Sequence, residues 1–158
     1  MLDYYYTWRF QHPNANDFIR VMEKRSGLEL DWFKEYFVYT TKTIDYGIRE
    51  VAPAGAGQTR LTLEKVGPMP MPLDVLVTYA DGSSELLNIP LRMMRGHKPA
   101  ASWYGERTTF LVLEDWPWTH PTYEAVLDRP LDQIVSVEID PSGRLADTDR
   151  ENNTYRPE

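Results

Sequence analysis

The spacing of apolar residues changes once along the chain, near Thr41. Before that point the pattern is helical. Phe18, Ile19, Val21 and Met22 fall on one face at the 3.6-residue repeat. Asn16 or Asp17 is the expected N-cap, because a short side-chain oxygen accepts from unpaired backbone N–H groups. Lys24 and Arg25 suit the negative end of the helix dipole, and Gly27 follows where a left-handed residue ends a helix. A second helix starts at Leu30 or Asp31 and carries Trp32, Phe33, Tyr36 and Phe37 as an aromatic stripe. Residues 1–11 hold five more aromatics, Tyr4, Tyr5, Tyr6, Trp8 and Phe10. If helical, they line several faces and need partners on more than one side.

From Thr43 to Ile48 apolar and polar residues alternate, which is strand spacing. Val51–Gly57 (VAPAGAG) reads as a turn-rich connection. Leu61 and Leu63 mark a strand, and the prolines of GPMPMP (67–72) break it. Val75, Val77 and Tyr79 share one strand face, and Ala80-Asp81-Gly82 is a hairpin turn, since Asp-Gly tolerates positive φ. Leu87, Ile89 and Leu91 form the return strand. Residues 92–107 are irregular. Thr108–Glu114 is apolar on both faces, which predicts a strand in the middle of a sheet. Ile134–Ile139 is the last strand, and Asp140-Pro141-Ser142-Gly143 turns the chain after it. The expected fold is mainly β. A helical segment over residues 1–41 precedes an Ig-like antiparallel β-sandwich over 42–158.

Composition narrows the functions. The 158 residues hold one ordinary domain, or a small one with a helical appendage. A net charge of −7 disfavours nucleic-acid or anionic-membrane binding. There is no cysteine, which excludes disulfides, thiol chemistry and Cys-ligated zinc. No apolar run approaches the roughly 20 residues that span a bilayer, and MLDYYYTWRF lacks a signal-peptide pattern.

The stretch SGLELDWFKEYFVYTTKTIDYGI resembles the junction in M1-family zinc metallopeptidases, the aminopeptidase N-like gluzincins, where the last catalytic-domain helices lead into a C-terminal β-sandwich. The matching elements are Asp17-Phe18, Glu23, Ser26-Gly27, Leu30, Asp31-Trp32-Phe33 and Asp45-Tyr46. The tail IDPSGRLADTDRENNTY, Ile139 to Tyr155, is similar to the end of bacterial members. The family's HExxH helix, further Glu ligand and GxMEN-type loop do not occur here. No tyrosine sits in surroundings that match the family's catalytic one. The three histidines, His12, His97 and His120, are far apart in sequence. The resemblance therefore implies a non-catalytic C-terminal part. Zinc and peptide substrate belong to a catalytic domain outside this sequence, and that domain is this part's partner. An exported or periplasmic parent is compatible with this.

Trp32, Phe33, Tyr36 and Phe37 are the expected docking face toward that domain. The aromatic N-terminal segment beside them predicts self-association when nothing covers it. The alternative is a stand-alone carbohydrate- or protein-binding module, with Trp116, Trp118, Tyr123 and the aromatic N-terminal segment as its surface. Asp147, Asp149, Asn152 and Asn153 cluster oxygen side chains that suit calcium, although the EF-hand spacing is not met. No catalytic signature links the chain's Ser, His and Asp residues: no G-x-S-x-G surrounds Ser26, and its carboxylate pairs are those that 24 acidic residues produce by chance.

Overall fold

Residues 1–100, 104–117 and 119–157 are described by a computed structural model. Three helices come first: α1 (Leu2–Trp8), α2 (Ala15–Ser26) and α3 (Asp31–Tyr39). Eight strands follow: β1 (Tyr46–Gly55), β2 (Gln58–Lys65), β3 (Leu73–Tyr79), β4 (Ser84–Ile89), β5 (Thr108–Val112), β6 (Thr122–Leu127), β7 (Ile134–Ile139) and β8 (Thr154–Tyr155). They form a three-stranded sheet, β1-β2-β6, and a five-stranded sheet, β5-β4-β3-β7-β8. Leu61, Leu63, Ala125 and Leu127 of the first sheet share one core with Val75, Val77, Leu87 and Val137 of the second. The chain is mainly β with helices at its N-terminal end, as its periodicity predicts. Among the described residues every strand pair is antiparallel but β4–β5, which runs parallel, as do the isolated bridges Ile44–Asp147 and Leu91–Trp116.

The Asp81-Gly82 hairpin forms where expected. Gly82 has φ 75°, and the Asp81 carboxylate accepts from the Ser83 backbone N–H at 2.9 Å and from its hydroxyl. Two other expectations are corrected. Val51–Gly57 is not a loose connection: β1 continues to Gly55 and turns into β2 through Ala56 and Gly57 alone. Both turn residues have positive φ (51° and 75°), the geometry of a tight two-residue hairpin. Pro53 is tolerated because β1 is a sheet edge, where a missing N–H leaves no ladder bond unmade. Nor is the segment beginning at Thr108 central. β5 pairs only with β4, at the other sheet's edge, and Leu111 and Val112 keep 37% and 40% of their surface exposed. Its apolar residues on both faces are therefore not a mark of burial on both faces.

One region ties the β elements together. Residues 43–47 are bonded from two sides. On one side, Val66 and Gly67 N–H groups donate to the Asp45 carbonyl (2.9 and 2.8 Å), and Met69 N–H donates to Thr43. On the other lies the C-terminal tail. Thr148 N–H donates to the Ile44 carbonyl at 3.0 Å, and Tyr46 N–H donates to Asp147 Oδ2 at 3.1 Å. Asn152 Nδ2 donates to Asp45 Oδ1 at 3.0 Å. Gly47 is closely approached: a Cβ there would lie 3.2 Å from Asn152 Cγ, so the Asn152 side chain would have to give way slightly. Gly67 is tighter still: a Cβ would lie 2.5 Å from the Asp45 nitrogen. Between the two sides the Tyr46 ring enters the core. Its hydroxyl accepts from Met71 N–H at 2.8 Å and donates to the Met71 carbonyl at 3.2 Å.

Removing that hydroxyl leaves the Met71 amide without its acceptor, so Tyr46→Phe should lower stability by about 1–3 kcal/mol, read as a fall in the urea midpoint. Gly67→Ala should be far worse, because backbone and not a mobile side chain stands in the way.

Alkaline pH gives a second check. Burial raises the Tyr123 hydroxyl from 10.0 to about 12, and it raises those of Tyr46 and Tyr79 above the usual range as well, Glu85 adding to the effect at Tyr79. The folded form holds these protons more tightly than the unfolded chain. Stability should be complete below pH about 10 and fall as pH rises toward 12 and beyond. Circular dichroism across that range should show unfolding coincide with tyrosinate absorbance.

Candidate functional site

The N-terminal helices present the largest group of apolar side chains that the fold leaves uncovered. α2 is well specified. Its N-cap is Asn14, two residues earlier than expected, and Asn14 and Asp17 form a reciprocal capping box. Asn14 Oδ1 accepts from Asn16 N–H (2.8 Å) and Asp17 N–H (3.2 Å), while Asp17 Oδ2 accepts from Asn14 N–H (3.0 Å). Gly27 ends the helix at φ 72° after Lys24 and Arg25, as its sequence predicts. α3 has no side-chain cap of its own at Leu30. Glu23 of α2 supplies one, its Oε1 accepting from Leu30 N–H at 2.9 Å. Lys34 adds a second tie, donating to Asp31 at 2.8 Å and to Asn16 at 3.1 Å.

The aromatic stripe divides in two. Trp32 and Tyr36, with Leu28, pack against the β core, and Glu29 N–H donates to the Met94 carbonyl at 3.0 Å. Phe33 and Phe37 stack on each other, ring centres 4.9 Å apart, and Phe37 is 54% exposed. Trp32 and Tyr36 of the predicted docking face are therefore turned to the chain's own β part, Phe33 is half-buried between Trp32 and Phe37, and Phe37 is open. Val38 and Tyr39 also lie exposed in the last turn of α3. The sequence reading missed both, although the apolar run FVY announces them.

α1 adds Leu2, Tyr5 and Tyr6, all largely exposed. Tyr4 makes an edge contact with Phe18 of α2, ring centres 5.1 Å apart. Beyond α1, Phe10 stands 98% exposed with φ 64°. A bulky residue in left-handed backbone is costly, and here it gains no packing. Two clefts flank α1. One, of about 640 Å³, is lined by Asp3, Trp8, Arg20, Lys24 and Arg25. The other, of about 440 Å³, is lined mostly by Leu2, Tyr5, Trp8 and Pro13. Charge at this face is local, with Arg25 paired to Asp3 at 3.2 Å in the open.

The alternative stacking surface loses Trp116 to the core. Trp116 is 1% exposed and belongs to the core. Its ring meets Tyr46 (5.4 Å) and Tyr123 (5.2 Å), and its indole N–H donates to the His120 carbonyl at 3.0 Å. A buried indole with its one donor satisfied has no face left for a sugar ring. Tyr123 is half-buried, its hydroxyl donating to the Glu114 carbonyl at 2.9 Å. Trp118 lies outside the described residues.

The acidic tail serves the backbone. Asp147 Oδ1 accepts from Asp149 N–H at 3.0 Å, and Asp149 Oδ1 accepts from Glu151 N–H at 3.1 Å. Asn152 is held against Asp45, and Asn153 is buried. Among the described residues no three His, Asp or Glu side chains gather as metal ligands would. His12 precedes α2, His97 follows a 3-10 turn at Arg92–Met94, and His120 precedes β6. No helix among the described residues is long and apolar enough to cross a membrane.

Comparison with protein-family models, with curated proteins and with solved structures gave no match.

An uncovered face of this kind should make the 18.4-kDa chain associate with itself and bind hydrophobic dyes. Light scattering should give a mass above the monomer, and a clean monomer without dye binding would refute this. Phe37→Ser with Tyr5→Ser should reduce both signals while changing stability by only about 0.5 kcal/mol each.

Proposed function

We propose that this chain is the C-terminal, non-catalytic part of an M1-type zinc metallopeptidase, an Ig-like sandwich whose helices dock on the catalytic domain. The observation that carries this reading is the apolar surface the N-terminal helices leave exposed: Leu2, Tyr5 and Phe10 in and after α1, and Phe37, Val38 and Tyr39 near the end of α3, whose Trp32 and Tyr36 pack against the β core. A neighbouring helical domain is the partner such a face suits. A second observation supports it. The two stretches that carry the resemblance, around Asp45-Tyr46 and from Ile139 to Tyr155, bond to each other, so they form one structural unit. The parallel β4–β5 pair departs from a purely antiparallel sandwich.

In this reading peptide-bond hydrolysis belongs to the catalytic domain, where bound zinc would polarise the carbonyl and activate water. Among the described residues none gather as zinc ligands would, and no chemical step is assigned to them. Their work is mechanical. α2 and α3 continue the catalytic domain's helical wall, and Trp32 and Tyr36 fasten that wall to the β part.

Two experiments test this. The open reading frame upstream of the Met1 codon should encode HExxH with a Glu further on; a frame without them would overturn the peptidase assignment. In the enzyme containing both parts, Phe33→Ser with Phe37→Ser should lower the melting temperature, yet leave the separate 158-residue chain nearly unchanged. Trp32→Ala should instead destabilise both, by about 2–4 kcal/mol for a partly buried indole. Equal effects of the two sets in both contexts would refute the division of the stripe.

A further inference from the structure

We propose that the cleft between α1 and α2 receives an acidic amphipathic helix of a neighbouring domain, its carboxylates set against Arg20 and Lys24 and its apolar stripe against Trp8. The inference rests on the docking reading only in placing a protein partner on this face; it holds whatever chemistry that partner performs. The cleft measures about 640 Å³. Three basic side chains line it, Arg20, Lys24 and Arg25, against two acidic ones, Asp3 and Asp17.

Arg20 and Lys24 carry the argument. They stand one turn apart on α2, and both are exposed. Like charges at that spacing repel, so an anion between them is favourable. The carboxylates nearest in sequence and in the cleft are engaged elsewhere. Asp3 pairs with Arg25 at 3.2 Å. Asp17 accepts from Asn14 N–H at 3.0 Å and so closes the capping box. Glu23, three positions beyond Arg20, accepts from Leu30 N–H at 2.9 Å and so caps α3. Lys24 meets only the partial negative charge of the helix end. Neither cation makes an ion pair among the described residues, in a chain whose net charge of −7 leaves carboxylates in excess.

The surroundings say what carries the missing anion. Trp8 lines this cleft and also the apolar one of about 440 Å³ beside Leu2, Tyr5 and Pro13. A small anion would satisfy the two cations and leave that apolar surface bare. A groove between two helices is instead filled by the side-chain ridge of a third. A helix with an apolar stripe flanked by Glu or Asp covers the cations and the indole together. An anionic bilayer offers similar charge, but it would repel the rest of so acidic a chain.

The test is a titration of the 158-residue chain with three helical peptides of about 14 residues, roughly four turns. They share one leucine stripe and differ only in its flanking residues, which are Glu, Gln or Lys. Binding is read from the Trp8 indole N–H resonance. At low salt the Glu peptide should bind about five- to tenfold more tightly than the Gln peptide, and the Lys peptide most weakly. Salt at about 0.5 M should remove the difference. Arg20→Gln with Lys24→Gln should bring the Glu peptide to the level of the Gln peptide. Arg20→Glu with Lys24→Glu should put the Lys peptide first. Both positions are exposed, so the variants should fold as the parent does.

Glu and Gln peptides binding alike to the unaltered chain, or an order that the variants do not change, overturns the proposal. So does the absence of any Trp8 shift at about 1 mM Glu peptide, or a shift produced by phosphatidylserine vesicles and not by that peptide. If Arg20→Gln with Lys24→Gln lowers the mass of the self-associated chain, the acidic partner is a second copy, and the proposal again fails. An upstream frame without HExxH would remove the peptidase reading and leave every one of these outcomes as stated.

Discussion

Everything in the β part depends on how the backbone of residues 43–47 shares its hydrogen bonds. This segment receives the 66–71 loop on one side and the C-terminal tail on the other, while Tyr46 drops into the core between them. None of the three contacts is strong alone, since a net hydrogen bond contributes only about 1 kcal/mol. Together they close the fold, because each fixes a different stretch of chain against the same five residues. The residue types follow from the geometry. Tyrosine supplies a hydroxyl that both accepts from and donates to Met71. Asp45 gives Asn152 an acceptor, and Gly47 gives it room.

Burial of Trp116 is the second constraint. The indole reaches the core from a loop rather than a strand, bridging Leu91 beyond the end of β4 and lying against Tyr46 and Tyr123. It thereby joins the two sheets on the side where β5 and β6 end their own pairing. The helices are attached to this frame more lightly, through Leu28, Trp32, Tyr36 and one backbone bond to Met94. An arrangement with a firm β frame and lightly attached, apolar helices suits a part whose helices belong equally to a neighbour.

Much of this was legible from periodicity, and the failures share a cause. The hairpin at Asp81-Gly82 and the end of α2 at Gly27 are local events, set by residues within a few positions, and the sequence announces them. Whether an element lies at an edge or in the middle is not local. Pro53 and the glycines of VAPAGAG look like breakers, yet they sit in an edge strand and its tight turn. Thr108–Glu114 looks doubly buried, yet it is an edge. Trp116 looks like a surface aromatic among prolines and a histidine, because its partner Tyr46 lies far upstream. The aromatic stripe of α3 was visible, but which of its rings meet the β core depends on where the β part sits. Arg20 gave no signal at all: a lone arginine on a helix acquires meaning only once the carboxylates around it are seen to be engaged elsewhere.

The tail's contact with Tyr46 spans 101 positions of sequence. A chain emerging from the ribosome can build the Asp81-Gly82 hairpin early, but it cannot close the frame until residues 147–152 have emerged. Until then the Tyr46 amide lacks its carboxylate and the flank beside Gly47 stands open. A chain lacking residues 147–152 would stay in that unfinished condition permanently. Residues 147–152 thus act as a latch on the middle of the fold, and their loss opens its centre rather than its fringe.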